Sequence, residues 1–155
     1  MMCEYMIDVG KRAPKFELLG SDEKMHKLEE FKSKYLVVYF YPKDLTPGCT
    51  IEANEFSKNM DKFKALGADV VGVSNDDIKS HQKFVKKCDL NFLLLSDKDN
   101  KMIKEYESYG SRGIFGIGTL RNTYIIKKGI IVKSFEKVSP KEHIQQVLEA
   151  LRELG

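Results

Sequence analysis

Cysteine carries the most nucleophilic side chain in this chain of 155 residues, and one of its three cysteines stands in an informative position. Cys49 follows an apolar segment, residues 35–41, and precedes a segment with helical periodicity. Thr46 suits an N-cap and Pro47 suits a first helical turn, which would place Cys49 in that turn. Unsatisfied backbone N–H groups and the helix dipole favour the reactive thiolate there. The spacing therefore predicts a nucleophile, with a small buried core cysteine as the alternative interpretation.

The segments on both sides of Cys49 have the pattern of a strand–helix–strand unit. Residues 35–41 and Ala68–Ser74 are apolar and rich in β-branched and aromatic residues, which is typical of strands buried on both faces. Between them, apolar residues recur at helical spacing at positions 53, 56, 60 and 63. Such a unit predicts parallel strands, and active sites of open α/β sheets lie at the carboxyl ends of such strands. Cys49 is expected at that end.

The remaining periodicities predict an α/β fold. Helices are predicted over residues 77–88 and 100–108, a short strand at 93–95, and a hairpin of 122–126 with Ile130–Phe135. Pro140 is predicted to open a last amphipathic helix. This order predicts a thioredoxin-like fold, with a central mixed β-sheet flanked by helices and an N-terminal β extension before residue 35. We expect a single domain over residues 1–155.

The residues around Cys49 also form a longer motif. Pro42-x-x-x-Thr46-x-x-Cys49 after an apolar strand resembles the active-site motif of peroxiredoxins. The wider string of residues 40–53 resembles the bacterioferritin-comigratory-protein, or PrxQ, subfamily. Further matches follow in the same order: Gly10-x-x-Ala13-Pro14-x-Phe16, Val71-x-Val73-Ser74, Ser80-His81-x-x-Phe84, Leu94-Leu95-Ser96-Asp97 and Arg121-x-Thr123-Tyr124-Ile125-Ile126. The resemblance covers nearly the whole chain.

The resemblance implies a thiol-specific peroxidase of antioxidant defence that reduces hydrogen peroxide and organic hydroperoxides. Cys49 would be the peroxidatic cysteine and would become a sulfenic acid. Arg121 would stabilise the thiolate and the charge that develops on the departing oxygen. The Thr46 hydroxyl would hydrogen-bond thiolate or peroxide, and Pro42 would shield the site from bulk water. A thioredoxin-like or other thiol would recycle the enzyme, which would be a monomer or a homodimer.

The group that would resolve the sulfenic acid is open. Many members of the subfamily carry a resolving cysteine five residues after the peroxidatic one, where this chain has Asn54. Others carry it in the following helix, at a position that matches Val85, one turn before Cys88. Cys88 could resolve Cys49 or be an inert packed thiol, and Cys3 is a second candidate. The third alternative is a one-cysteine mechanism with an external thiol. Because a disulfide needs Cα atoms within about 7 Å, a Cys49–Cys88 bond would require local unwinding of a helix.

Several other classes of protein are disfavoured. The net charge is only +3 and the basic residues are scattered, so we expect no nucleic-acid partner. No apolar run approaches the roughly 20 residues of a membrane span, and the first residues lack a signal-peptide core, which predicts a cytoplasmic protein. The three histidines lack ligand-like spacing with the cysteines, so we expect no metal.

The glycine-rich residues 110–118 do not follow a strand and open a helix, so no dinucleotide cofactor is expected. We interpret them as a mobile connector that leads to Arg121. No Cys-x-x-Cys pair is present, which disfavours a dithiol electron carrier of the thioredoxin type. A redox sensor or holdase that uses the same reactive Cys49 without turnover remains the alternative function. A glutathione- or thioredoxin-like thiol transferase, which would reduce disulfides and ignore peroxide, stays open as a second rival.

Overall fold

A computed structural model describes residues 7–155, and its centre is a seven-stranded mixed sheet. The strands are β1 (Glu17–Gly20), β2 (Met25–Lys27), β3 (Tyr35–Phe40), β4 (Ala68–Ser74), β5 (Leu93–Ser96), β6 (Tyr109–Ser111), β7 (Ile117–Thr119), β8 (Thr123–Lys127) and β9 (Ile130–Phe135). The helices are α1 (Pro47–Lys58), α2 (Met60–Ala65), α3 (Ile78–Cys88), α4 (Lys101–Glu105) and α5 (His143–Leu154).

The order of the strands in the sheet is β2-β1-β5-β4-β3-β8-β9. Strands β3, β4 and β5 are parallel to one another, while β8 and β9 are antiparallel additions next to β3. The β1–β2 hairpin joins the other side through β5. The parallel βαβ unit and the N-terminal β extension are therefore confirmed, and the mixed sheet has the thioredoxin-like arrangement.

Two apolar cores cover the two faces of the sheet, because successive side chains of a strand point to opposite sides. All six residues of β3 are buried. Its odd-numbered side chains pack with α1, α2, α3 and α5, and its even-numbered ones pack with α4 and the segment before β1. Cys49 belongs to the first core, and Cys88 packs against the same core. Both thiols therefore lie on one side of the sheet.

The predicted helix between β3 and β4 is divided in two at Asn59. The Asn59 side chain donates a hydrogen bond of 2.8 Å to the Glu55 carbonyl, which its own backbone N–H also contacts at 3.2 Å. A side-chain amide that binds backbone in this way offers the chain an alternative to the regular helix ladder. The apolar spacing continues across the break, which is why the pattern alone predicts one helix.

The last helix was predicted to open at Pro140 and instead begins at His143. One hydrogen bond, from the His143 N–H to the Ser139 carbonyl at 3.1 Å, closes a turn around Pro140 before the helix starts. Helix α4 is likewise shorter than the predicted 100–108. Asn100 precedes it with a left-handed φ of 60°, and the turn at Tyr106 and Glu107 lies outside it.

The glycine-rich residues 110–118 are organised, contrary to the predicted mobile connector. Strands β6 and β7 pair as an antiparallel ribbon, with a 3-10 turn over Gly113–Phe115 at its tip. The ribbon ends at Thr119, two residues before Arg121. It therefore fixes the direction from which the chain approaches Arg121.

None of the helices found between residues 7 and 155 has the length and apolar character needed to cross a membrane.

Candidate active site

Cys49 lies where β3 runs into α1. Strand β3 ends at Phe40, whose N–H donates to the Asn122 carbonyl at 2.9 Å, and seven residues later the helix begins at Pro47. The Thr50 N–H donates to the Thr46 carbonyl at 2.9 Å, which closes the first turn. Cys49 is the third residue of α1, so its amide is one of those for which a helix supplies no acceptor. The predicted position in the first helical turn is confirmed.

The Cys49 side chain is 1% exposed, and its sulfur nevertheless has a cationic neighbour. The Arg121 Nη2 donates to Cys49 Sγ at 3.3 Å. The Arg121 Nη1 donates to Glu52 Oε1 at 3.0 Å, and Glu52 is fully buried. One guanidinium thus bridges a thiol and a carboxyl group, and both lie on α1. The structure brings together Cys49 and Arg121, which are 72 positions apart in the sequence.

Glu52 is a site residue to which the sequence pattern assigned no role. Burial raises the pKa of its carboxyl group to about 8, and the attraction of Arg121 only partly opposes this effect. The raised pKa favours the uncharged carboxyl group, so Glu52 orients Arg121 while offsetting less of the guanidinium charge than an exposed carboxylate would. The available signal was its position three residues after Cys49, because residues at that spacing share a helix face.

The backbone on both sides of Arg121 is fixed by hydrogen bonds. The Arg121 carbonyl accepts the Val138 N–H at 2.8 Å, and the Asn122 N–H donates to the Leu120 carbonyl at 2.8 Å. Gly48 leaves space for the guanidinium, since a Cβ at that position would stand 2.7 Å from Arg121 Nη2. The close approach of Arg121 to Cys49 therefore depends on a residue without a side chain at position 48.

Thr46 occupies the predicted N-cap position, but its hydroxyl does not cap the helix. The hydroxyl donates to the Lys43 carbonyl at 2.8 Å and so ties the loop to itself. Donation to a peroxide would require the hydroxyl to rotate away from that carbonyl. Pro42 is half-buried just after β3, and its shielding of the site stays a prediction.

Of the candidate resolving cysteines, Cys88 is the one that lies within the described residues. Cys88 is the last residue of α3 and is half-buried, and both it and Cys49 are free thiols. Cys3 lies outside the described residues. Asn54, at the position where many relatives carry a resolving cysteine, is exposed on α1.

A shallow depression of about 350 Å³ opens beside Arg121. Its walls include the ribbon residues Arg112 and Gly113, together with Lys137 and Val138 from the segment after β9. Arg121 is shared by this depression and the Cys49 contact, so it connects the surface with the buried sulfur. The arrangement allows a small polar substrate to reach the guanidinium first.

Comparison with known proteins agrees with these observations. The chain matches the AhpC/TSA family over residues 9–134. Peroxiredoxin Bcp of Bacillus subtilis is 40% identical over 153 residues, covering 96% of this chain and 98% of that protein.

Solved structures show the same relationship. The crystal structure of Xylella fastidiosa PrxQ has a TM-score of 0.90 at 31% identity, covering 95% of this chain and 96% of that one. The bacterioferritin comigratory protein of Xanthomonas campestris has a TM-score of 0.84 at 33% identity, with 89% and 90% coverage. The chain therefore belongs to the AhpC/TSA family, among its peroxiredoxins of the Bcp and PrxQ kind.

Proposed function

We propose that this peroxiredoxin reduces hydroperoxides with Cys49 as the peroxidatic residue. The Cys49 thiolate attacks one oxygen of ROOH, a sulfur–oxygen bond forms and the oxygen–oxygen bond breaks. The departing RO⁻ takes up a proton and leaves as an alcohol, or as water when R is hydrogen. The sulfur is oxidised to a sulfenic acid while the peroxide is reduced.

The contact between Arg121 Nη2 and Cys49 Sγ, at 3.3 Å, is the observation that carries this proposal. A fixed cation at that distance stabilises the thiolate before reaction. During the reaction, negative charge moves from the sulfur to the departing oxygen, and the same guanidinium lies close enough to follow it. Donors that are positioned in advance for developing charge lower the barrier without reorganisation.

We propose hydrogen peroxide and alkyl hydroperoxides as the substrates. The similar Xanthomonas campestris protein is described by its alkyl peroxide reduction activity. In this chain the depression beside Arg121 is open to solvent, so it can admit a peroxide whose alkyl group stays outside. The proposed roles of Thr46 and Pro42 are to complete the hydrogen bonding and the water exclusion around that peroxide.

Two routes return the sulfenic acid to the thiol. In the first, the Cys88 sulfur attacks the Cys49 sulfenic acid, water leaves, and an external dithiol reduces the disulfide. In the second, an external thiol attacks the Cys49 sulfenic acid and water leaves, and a second external thiol then reduces the mixed disulfide and releases the Cys49 thiol. Cys88 and Cys49 pack on the same apolar core, which supports the first route. We propose a thioredoxin-like reductant, a monomer or homodimer, and a cytoplasmic location.

Peroxide turnover with a thioredoxin, its reductase and NADPH tests the proposal. We expect the wild-type protein to consume many equivalents of peroxide and Cys49→Ser to consume none above background. Full turnover by Cys49→Ser would contradict the assignment. Peptide mapping after a single peroxide pulse separates the two routes, because a Cys49–Cys88 disulfide appears only in the first.

The same assay separates an enzyme from a redox sensor or holdase. A sensor would oxidise Cys49 once and stop, whatever the amount of recycling thiol. Continued NADPH oxidation that is proportional to added peroxide is expected here.

A further inference from the structure

A buried polar cluster lies beside the loop that leads to Cys49. Asp44, in that loop, is 5% exposed, and His81 of α3 is fully buried. Asp44 Oδ1 accepts the Tyr41 hydroxyl at 2.6 Å, while Oδ2 contacts Ser80 Oγ at 2.8 Å and His81 Nδ1 at 2.7 Å. The Asp44 N–H donates to Asp76 Oδ2 at 2.8 Å. Both carboxylate oxygens and the backbone N–H of Asp44 therefore have a hydrogen-bond partner.

The hydrogen-bond partners of His81 fix where its protons are. The Leu95 carbonyl can only accept, so His81 Nε2, at 2.9 Å from it, must carry a hydrogen. His81 Nδ1 faces Asp44 Oδ2, and one proton must lie between these two atoms. The pair is a charged or proton-sharing contact between two buried side chains, and such contacts are strongly directional.

Asp44, Asp76 and His81 have ligand atoms within 4.8 Å of one another, a spacing that a metal ion could use. The hydrogen bonds already described use those atoms, and Ser74 Oγ donates to Asp76 Oδ2 at 2.7 Å as well. Hydrogen bonds within the protein therefore occupy these ligand atoms. The cluster acts by holding the neighbouring loop in place.

The cluster holds a strained turn. Leu45, between Asp44 and Thr46, has a φ of 65°, in the left-handed region that costs a non-glycine residue about 1–2 kcal/mol. Such a conformation persists when its surroundings over-determine it. Asp44 is anchored on one side of Leu45, and on the other side the chain enters α1 at Thr46 and reaches Cys49 three residues later.

We propose that Asp44 and His81 are a positioning pair for the peroxidatic cysteine. The Asp44–His81 contact joins the loop before α1 to helix α3 and fixes the turn at Leu45. That turn sets the position of the first residues of α1 along the helix axis. It thereby sets the distance between Cys49 Sγ and the Arg121 guanidinium. Since misplacement of a reacting group by about 1 Å can cost about 10²-fold in rate, loss of the pair slows oxidation of Cys49 without removing any group that touches peroxide. This inference rests on Cys49 being the peroxidatic residue.

Two substitutions of His81 separate positioning from general stability. An asparagine amide nitrogen can take the place of Nδ1 and keep the donor to Asp44, whereas a glutamine amide nitrogen can take the place of Nε2 and keep the donor to Leu95. Both are made in a Cys3→Ser/Cys88→Ser parent, where Cys49 is the only cysteine. The second-order rate constant for sulfenic acid formation is measured by stopped flow, together with Tm and hydrogen exchange of residues 43–50.

We expect His81→Gln to lower the rate constant about tenfold or more and to speed exchange in the loop, while His81→Asn stays within about threefold of the parent. Equal rates in the two variants would overturn the positioning role. If the Cys49-only parent itself formed no sulfenic acid, the proposed function would fail first, and the positioning role with it.

A milder pair of variants covers the case in which His81→Gln does not fold. Ser80→Ala removes one donor to Asp44 Oδ2. Ser57→Ala is the control outside the cluster, and it removes a 2.8 Å donor to Asn91 Oδ1 together with the acceptor for the Asn91 N–H at 3.1 Å. We expect a rate about two- to threefold lower for Ser80→Ala and an unchanged rate for Ser57→Ala. No difference between these two would also overturn the proposal.

Discussion

The two thiols in the described part of the chain occupy opposite ends of two helices on the same side of the sheet. Cys49 is the third residue of α1, with the positive end of the helix dipole and Arg121 beside it. Cys88 is the last residue of α3, where the helix dipole presents its negative end. Lys86 and Lys87 in that last turn offset this effect only in part, because they are exposed to solvent.

Two cysteines in one fold can thus have different reactivities, one as a nucleophile towards peroxide and the other as a resolving thiol. A reactive thiol is usually the more exposed one. Here the buried Cys49 is the proposed nucleophile and the half-buried Cys88 is the proposed resolving cysteine, so exposure does not explain the difference. The distinction comes from the nearest charges. A nucleophile needs its anion stabilised at rest, whereas a resolving thiol has only to reach a sulfur that is already electrophilic.

Arg121→Ala should break this comparison, because it removes the main electrostatic difference between the two sites. We expect the rate constant for Cys49 oxidation to fall about 10²–10³-fold, as for the loss of a fixed donor to a developing anion. Stopped-flow oxidation by hydrogen peroxide measures it. Arg152→Ala is the control, since Arg152 forms an exposed pair with Glu149 on α5 and should leave the rate unchanged. A fall of less than threefold for Arg121→Ala would contradict its role.

Gly48→Ala should weaken the same contact without removing a charge. The new Cβ would stand 2.7 Å from Arg121 Nη2, so the guanidinium has to move away from Cys49. Because the end of a long side chain moves easily, we expect little loss of stability and about a tenfold slower oxidation. Gly118→Ala is the matched control, since its Cβ would meet Arg112 at an ordinary 3.6 Å. Equal rates in the two variants would show that the distance from Arg121 to Cys49 does not matter.

The parts that the sequence predicts correctly are those encoded locally. The run over β3, the N-cap position and the proline before Cys49, and the motif from Pro42 to Cys49 are each contained in a few adjacent residues. The Glu52–Arg121 pair joins residues 69 apart, and the Asp44–His81 pair joins residues 37 apart. Each depends on strand order and on the path of loops, which no local pattern contains. The break at Asn59 was missed for the opposite reason, because a single side chain overrides a regular apolar spacing.

Glu52 gives a pH-dependent test of the charge balance at Cys49. Its pKa is raised from 4.5 to about 8 by burial, so between these pH values the folded protein holds a proton that the unfolded chain has lost. Stability from this group therefore decreases as pH rises from 4.5 to 8, with a slope of up to about 1.4 kcal/mol per pH unit. His143 has the opposite dependence, since burial lowers its pKa to about 3 and its contribution is lost as pH falls below 6.5.

Urea unfolding between pH 6.5 and 8 avoids the His143 window. The contribution of His26, whose pKa is raised because Glu30 and Asp22 outweigh the effect of burial, falls in the same range and cancels when the wild-type protein is compared with Glu52→Gln. We expect the wild-type protein to lose stability relative to Glu52→Gln across this range, because glutamine does not titrate. Glu52→Gln should also keep its oxidation rate within about threefold at pH 7, since it reproduces the uncharged carboxyl group that faces Arg121. Parallel stability curves for the two proteins would contradict the raised pKa of Glu52.

Asp89→Gly should sharpen the comparison from the Cys88 side, with the smallest effect. Asp89 ends α3 with a left-handed φ of 50° and an acidic side chain at the negative end of the helix. Glycine removes both penalties and should stabilise the protein by about 0.5–1 kcal/mol, measured as a rise in the urea midpoint. A firmer helix end should hold Cys88 in place. The Cys49–Cys88 disulfide should then form a few-fold more slowly, while the oxidation of Cys49 by peroxide stays unchanged. Slower oxidation of Cys49 in this variant would mean that the end of α3 and the start of α1 are not independent. The difference between the two thiols would then have to come from all the helices on that side of the sheet and not from the charges nearest each sulfur.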